Sequence, residues 1–530
     1  MLANVTLELS LKPFWEADPE PVCRRMFRQW LPLIGQARQV SVMLWTADGS
    51  ELLDYAGRLD DEIEWARYIG GATPRQPVPG DPEGVCLHSR AYLYRDNPPV
   101  HTYRSLAAIV ATLKRVGAEV TGLPVRVGST FDPGPEFARS SFKYERHPEV
   151  CLAETMGRAS FVCCYATLHA DDRAYAGFPQ GIPEGTTVGT FLGRQSQHFL
   201  RDLGFDYLWL SNGFGFGLET WASRGALFDG SEFDPDARAE LRERQLGFWR
   251  DFRAECPAYP LEVRGTNLTT GIDLATDAVP MDEIYAGGWL ELPPPNSPWA
   301  ALNRDFGFEL AGYLSHIAEL PGEGYPFRFY THDPWWLNSP WLDRYGREPH
   351  DIYLPLSVAR LGAGGAVSPL TSVSLLSVDD SYGELPDQVP LECQPHLLEA
   401  LRCMPDEAGP LVWVYPWAEY DERTFGPEPR LAEVFAGDWM VRGFINAGLP
   451  LNSVVSTTNW LAAADLPLWR ERVLVTPAPD AGTPLSAALL AHAAAGGAVL
   501  LYGSLAAADE RWLELLGLAR AEPLEGEFEV

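Results

Sequence analysis

The stretch FRFYTHDPWWLNSPW, residues 327–341, starts as a buried-looking strand and ends as something else. Three of its first four residues, Phe327, Phe329 and Tyr330, are β-forming aromatics. Thr331, His332 and Asp333 follow directly, and then Trp335, Trp336 and Trp341. A strand tip carrying a histidine, an acid and several indoles is reasonable if it faces a cavity shared with other strand tips. That is the arrangement of a (β/α)8 barrel, whose chemistry sits on the loops after its strands.

Working outward from this stretch, strand patterns recur along the chain. They fall at residues 6–11, 39–45, 123–129, 205–212, 259–267, 281–286, 325–331 and 368–377. Helical patterns separate them, at residues 18–37, 102–120, 187–203, 234–256, 296–320 and 353–361. Eight strands alternating with helices predict a (β/α)8 TIM barrel over residues 1–400. An irregular insertion is expected near 50–100 and a long loop near 130–185. The count of eight and the length favour this over a doubly wound open sheet.

A second α/β unit is expected over residues 408–530. PLVWVYPW reads as a strand, RLAEVFAGDWMVRGFINAGLP as a helix and RVLVTPAPD as a strand ending in a proline-rich turn. PLSAALLAHAAAGG is a helix closed by Gly496-Gly497, and AVLLYGS is a further strand. The pattern predicts a parallel, flavodoxin- or amidotransferase-like sheet. Amidotransferase chemistry itself needs a cysteine on an elbow, and the last cysteine of the chain is Cys403.

Bulk composition narrows the partners. The 530 residues carry 72 acids against 41 bases, a formal charge of −31. Nucleic acids and anionic membranes need a basic face, so neither is an expected partner. Eight scattered cysteines, without CxxC spacing, fit a reduced cytoplasmic protein. No signal-peptide pattern or uninterrupted apolar span stands out. Metal motifs such as HExxH are absent, as is GxSxG, and neither a metal nor a cofactor is expected. The run LGAGGAVSP, residues 361–369, precedes the eighth strand and reads as a tight turn rather than a phosphate loop.

Read strand by strand, the tips supply Trp45 and Asp48, then Asp132 and Glu136, then Asn212. Arg264, Asn267 and Asp273 follow, then His332, Asp333, Trp335 and Trp336, and finally Asp380. Acids, amides and indoles around one cavity suit a polyhydroxylated ligand: polar groups bond hydroxyls while rings cover C–H faces. Cleaving a glycosidic bond takes two carboxyl groups, one on each side of it. The candidates are Asp333, Asp380, Glu136 and Asp273. Trp45, Asp48, Asp132, Asn212, Arg264, Asn267, His332, Trp335 and Trp336 are the candidate binding residues. Asp379 competes with Asp380, since side chains alternate along a continuing strand and only one of the two should face the cavity.

The order of a catalytic barrel and a parallel α/β domain resembles the family 42 β-galactosidases. The most specific stretch is RVLVTPAPDAGTPLSAALLAHAAAGGAVLLYGS, residues 472–504, which is similar to that family's trimerisation domain. The resemblance implies a sugar substrate and a homo-oligomer, dimer or trimer. It also implies an Asn-Glu pair after strand four and a nucleophilic Glu after strand seven. Here strand four ends Ser211-Asn212-Gly213, so only the Asn carries over, and Asp333 stands loosely at the nucleophile's place. The expectation is therefore a glycoside hydrolase acting on a small glycoside or oligosaccharide. The alternatives are a non-catalytic carbohydrate-binding barrel, or a sugar-acid isomerase or lyase using Lys12 or His332.

Overall fold

The computed structural model describes residues 1–69, 92–134, 137–153, 161–218, 222–291, 305–322, 324–332, 341–342 and 347–521. Numbering only the strands of its two large sheets, the first sheet contains β1 (Leu2–Ser10), β2 (Ala37–Trp45), β3 (Val125–Phe131), β4 (Tyr207–Leu210), β5 (Leu261–Val263), β6 (Tyr325–Tyr330) and β8 (Leu370–Leu376). Their order is β5-β4-β3-β2-β1-β8-β6, and every pairing is parallel. This is a curled, barrel-type sheet with one stave missing among the described residues.

The missing stave corrects the eight-strand expectation. Residues 281–286 were expected as the sixth strand, and they form the helix Met281–Ala286. The reason is local. Met281, Ile284 and Tyr285 fall at helical spacing and are all buried, while Asp282 and Glu283 sit in the first turn, where the helix dipole favours acids. Tyr285 stacks on Trp417 of the second unit at 5.9 Å. Among the described residues, β5 and β6 have no strand between them. The chain passes this gap at Glu291, whose N–H donates to the Leu261 carbonyl at 2.9 Å. Arg328 of β6 reaches across and donates from Nη2 to the Val263 carbonyl.

Strand alternation explains the layers. On β1, Val5, Leu7 and Leu9 face the helices and are fully buried, each contributing roughly 2 kcal/mol. Asn4, Thr6, Glu8 and Ser10 occupy the other face, inside the curl. The covering helices are well delimited. Tyr103–Thr121 begins with a capping box between Thr102 and Ser105 and ends at Gly122, with φ at 69°. Val188–Leu203 is capped by Thr187 and stopped by Gly204.

The second sheet contains β7 (Ala359–Leu361), β9 (Leu411–Tyr415), β10 (Ser453–Ser456), β11 (Val473–Pro477) and β12 (Ala498–Tyr502), all parallel, in the order β7-β10-β9-β11-β12. Its edge strand β7 comes from between the last two strands of the first sheet. The helix expected over 353–361 is His350–Leu356, and the chain then crosses to β7. The run at 361–369 is a turn, closed by Gly365 N–H donating to Gly362 O.

Candidate active site at the mouth of the partial barrel

The C-terminal ends of the first sheet carry a connected row of buried polar groups. Asp132 directly follows β3, and its Oδ1 accepts from Gly134 N–H at 2.8 Å. Its Oδ2 accepts from Asn212 Nδ2 at 2.7 Å. Asn212 Oδ1 in turn accepts from Arg264 Nη1 at 2.8 Å. Three consecutive staves are thus tied by one amide and one guanidinium. Asn212 has φ at 51°, a left-handed conformation that Asn tolerates better than most residues. The guanidinium of Arg264 also lies 5.7 Å from the ring centre of Tyr330 on β6.

The row continues towards β2 through Lys143, which sequence reading missed. Its Nζ is 2.9 Å from Asp48 Oδ2, and both side chains are fully buried. The same ammonium donates to the carbonyls of Asp48, Asp132 and Gly134. Burial raises the Asp48 carboxyl, and the Lys143 charge opposes that rise. A signal was present in composition: the chain has only three lysines, Lys12, Lys114 and Lys143, among 41 basic residues. Two of the three are buried at this mouth.

Lys12 closes the ring next to β1. Its Nζ is buried without a hydrogen-bond partner and lies 5.5 Å from the ring centre of Phe137. Burial lowers it to about 8, opposed by the charges of Asp379 and Asp380. Asp379 accepts from Ser10 N–H at 2.9 Å and from Ser10 Oγ at 2.5 Å, and burial pushes it up to about 6. One layer deeper, Glu8 accepts from Ser377 Oγ at 2.6 Å and is pushed up to about 7 by burial.

Other groups at strand ends have no hydrogen-bond partner among the described residues. Trp45 packs edge-on against Phe137 at 5.7 Å, and its buried indole N–H donates to nothing. Asn267 Oδ1 and His332 Nε2 are likewise buried and unpaired. Burial holds His332 down at about 4, so its ring is neutral. Buried polar groups are normally satisfied. Several of the unsatisfied ones lie at the tips of this one sheet.

Of the four candidate carboxylates, two lie in the described structure. Asp380 Oδ1 accepts from the N–H groups of Tyr382 and Glu384, both at 2.9 Å, and so holds a turn while remaining in electrostatic reach of Lys12. Asp273 is buried in the helix Thr270–Asp277. It accepts from Thr266 Oγ1 at 2.7 Å and lies 3.5 Å from His316 Nε2. Burial raises it. Glu136, Asp333, Trp335 and Trp336 fall outside the described residues. Among the described residues no group of three or more His, Cys, Asp or Glu is arranged to hold a metal ion.

No protein-family model matches the sequence, and no curated protein matches it. Among solved structures, the chain is similar to the cold-adapted β-galactosidase of Rahnella sp. R3, at 11% identity and a TM-score of 0.38, over 94% of this chain and 70% of that one. It is also similar to Gan42B, a GH42 β-galactosidase of G. stearothermophilus, at 11% identity and 0.38, over 94% and 71%. A maltogenic α-amylase, AmyB of Thermotoga neapolitana, gives 9% identity and 0.30, over 83% and 75%. No helix among the described residues is long and apolar enough to cross a membrane.

Proposed function

We propose that the chain is a glycoside hydrolase that binds a small glycoside at the mouth of the partial barrel. The observation that carries this reading is the row Asp132–Asn212–Arg264, flanked by the unpaired polar atoms of Lys12, Trp45, Asn267 and His332. Such a lining offers donors and acceptors to hydroxyls at several heights, with an indole for the sugar's C–H face. With Lys143 spent on Asp48 and three carbonyls, the mouth suits an uncharged glycoside.

Bond cleavage calls for two carboxyl groups. Asp333, next in sequence to His332, is proposed as the nucleophile or base, and Glu136, which follows Asp132 by four residues, as its partner. Asp380 and Asp273 are assigned supporting parts, because their oxygens already hold a turn and a Thr-His pair. The second sheet is proposed as the assembly surface of a dimer or trimer.

A panel of nitrophenyl glycosides tests the reading. Asp333→Asn and Glu136→Gln should each lower kcat at least about a hundredfold, with azide or formate restoring part of the turnover in one of them. Full turnover in both variants would remove the carboxylate assignment. Sugars that raise the melting temperature without being cleaved would favour a binding protein.

Lys12 favours a second reading. A buried, unpaired amine lowered to about 8 is the group a Schiff-base enzyme needs. Its nitrogen would add to the carbonyl carbon of a keto sugar acid, and water would leave as the C=N bond forms. Borohydride added with such a substrate would then fix a mass on Lys12. An unlabelled Lys12 under these conditions rules that chemistry out.

A further inference from the structure

A cavity lies at the end of the same sheet opposite the mouth. It measures about 390 Å³ and is lined by Asn4, Thr6, Arg126, Glu262, Arg328 and Ser374, among others. The register shows how it arises. Arg328 pairs with Ser374, Ser374 with Thr6, Thr6 with Ser41 and Ser41 with Arg126, so these five positions form one belt inside the curl. In a complete barrel such a belt carries bulky branched side chains that fill the interior. Here it carries two hydroxymethyl groups, a threonine and two arginines, and space is left.

The charges in that space are unevenly matched. Arg126 is 2.7 Å from Glu291 and 3.9 Å from Glu262. Among the described residues, Arg328 has no carboxylate within ion-pair distance. One of its terminal nitrogens donates to the Val263 carbonyl, its guanidinium lies 5.4 Å from the ring centre of Trp209, and Nη1 is buried with no acceptor. A buried guanidinium without a close ion pair is costly, and an anion is the group that relieves it; Glu262 and Glu8 act on Arg328 only at longer range. Burial also raises Glu262 to about 7, which lowers the negative charge facing Arg328 near neutrality. No aromatic ring lines the cavity, in contrast to the mouth, so a sugar face has nothing to stack on.

We propose that this floor cavity is a binding site for a small oxyanion, a phosphate or carboxylate group held by Arg328 with hydroxyl donors from Ser372, Ser374 and Thr6. Guanidinium pairs with either group through two parallel N–H bonds. The site is separate from the mouth, and its test is a binding measurement that does not involve turnover.

Calorimetric titration of the full chain at low ionic strength, with inorganic phosphate and with malonate in separate runs, tests it. One-site binding of at least one titrant is expected below about 10 mM. Saturation by phosphate alone assigns a tetrahedral ligand, and saturation by malonate alone assigns a carboxylate. Arg328→Gln should weaken binding at least about tenfold, whereas Glu262→Gln, which removes a negative charge from the same wall, should tighten it several-fold. Asn212→Ala, at the mouth, should leave it unchanged. If Arg328→Gln does not fold, Ser374→Leu fills the cavity from the neighbouring strand and should abolish binding. The proposal is overturned if neither anion binds, or if Arg328→Gln or, in its place, Ser374→Leu binds as the unaltered protein does.

Discussion

Asn212 Nδ2 donates to Asp132 Oδ2 across 2.7 Å, and both side chains are buried. The same amide receives Arg264 on its other side, so one residue in a left-handed turn fixes the spacing of three strand ends. Asn212→Ala leaves a buried carboxylate and a buried guanidinium each short of a partner. The expected cost is about 2–3 kcal/mol, with a fall in kcat/KM of at least about tenfold. Asn212→Gly relieves the backbone while removing the same bonds. It should recover part of the stability and none of the turnover, as denaturant titration and kinetics on the two variants would show.

The acids beneath the mouth give a pH dependence whose sign follows from burial. Glu8 rises from 4.5 to about 7 and Asp379 from 3.8 to about 6 in the folded chain. A raised carboxyl means that the folded state holds its proton longer than the unfolded one. Stability from these groups is therefore complete below about pH 4 and is lost as pH climbs through 6 to 7. Glu8→Gln keeps the shape and the contact with Ser377 but cannot ionise. Its unfolding free energy should change less between pH 4.5 and 7 than that of the unaltered protein, by on the order of 2–3 kcal/mol. Parallel curves would show that Glu8 does not ionise within that window.

Lys12 acts in the alkaline range. Its folded-state value of about 8 lies below the ordinary 10.5, so between these limits the unfolded chain binds the extra proton. Its contribution makes the fold more stable as pH rises from 8 towards 10.5. Lys12→Met should remove that rise and increase stability at pH 7, since an uncharged chain then replaces a buried ammonium without a partner. Chemical denaturation at pH 7 and pH 9.5 provides the comparison.

Gly383 bears on the same lysine from the backbone side. Its φ is 78°, and a Cβ there would come within 2.6 Å of the Lys12 carbonyl carbon. Gly383→Ala combines left-handed strain with a backbone clash, so the turn held by Asp380 must shift and move Lys12 with it. A loss of about 2–4 kcal/mol is expected, with turnover falling further than at Gly122→Ala, where φ is also positive but the space is open. Equal effects at the two sites would mean that the Lys12 contact is irrelevant.

Much of this architecture could be read from alternation and caps, and the exceptions have physical causes. Asp48, Asp132, Asn212 and Arg264 stood out because each lies at or shortly after the end of a clear strand. Lys143 did not, because its place is set by three carbonyls from the two loops after β2 and β3 rather than by its own neighbours. The expectation that only one of Asp379 and Asp380 faces the cavity extended strand alternation past Leu376. Ser377, with φ at 55°, ends that alternation, and Asp379 is the fully buried one. Strand β10, Ser453–Ser456, escaped notice because four residues with serine at both ends look like a loop, although all four are buried. The helix Met281–Ala286 was misread because six residues support either period until Tyr285 finds Trp417.

The second sheet reaches the mouth through one buried acid. Asp438, on the helix Leu431–Asn446, accepts from Gly271 N–H and from Tyr415 Oη, each at 3.0 Å. Gly271 opens the helix that follows Arg264, Thr266 and Asn267, so Asp438 pins the loop that carries them. A Cβ at Gly271 would lie 2.7 Å from the Asp438 carboxylate, which leaves little room for the contact to drift. Burial raises Asp438 to about 6, so its stabilising effect is greatest in acid and declines as pH rises through that value. Asp438→Asn keeps an acceptor and should preserve most of the turnover while flattening the pH dependence near 6. Asp438→Ala strands two donors and should cost about 2–4 kcal/mol. If the loop is positioned from this side, Asp438→Ala also raises KM for a glycoside several-fold at a temperature where the protein is fully folded. An unchanged KM there would confine Asp438 to holding the two sheets together.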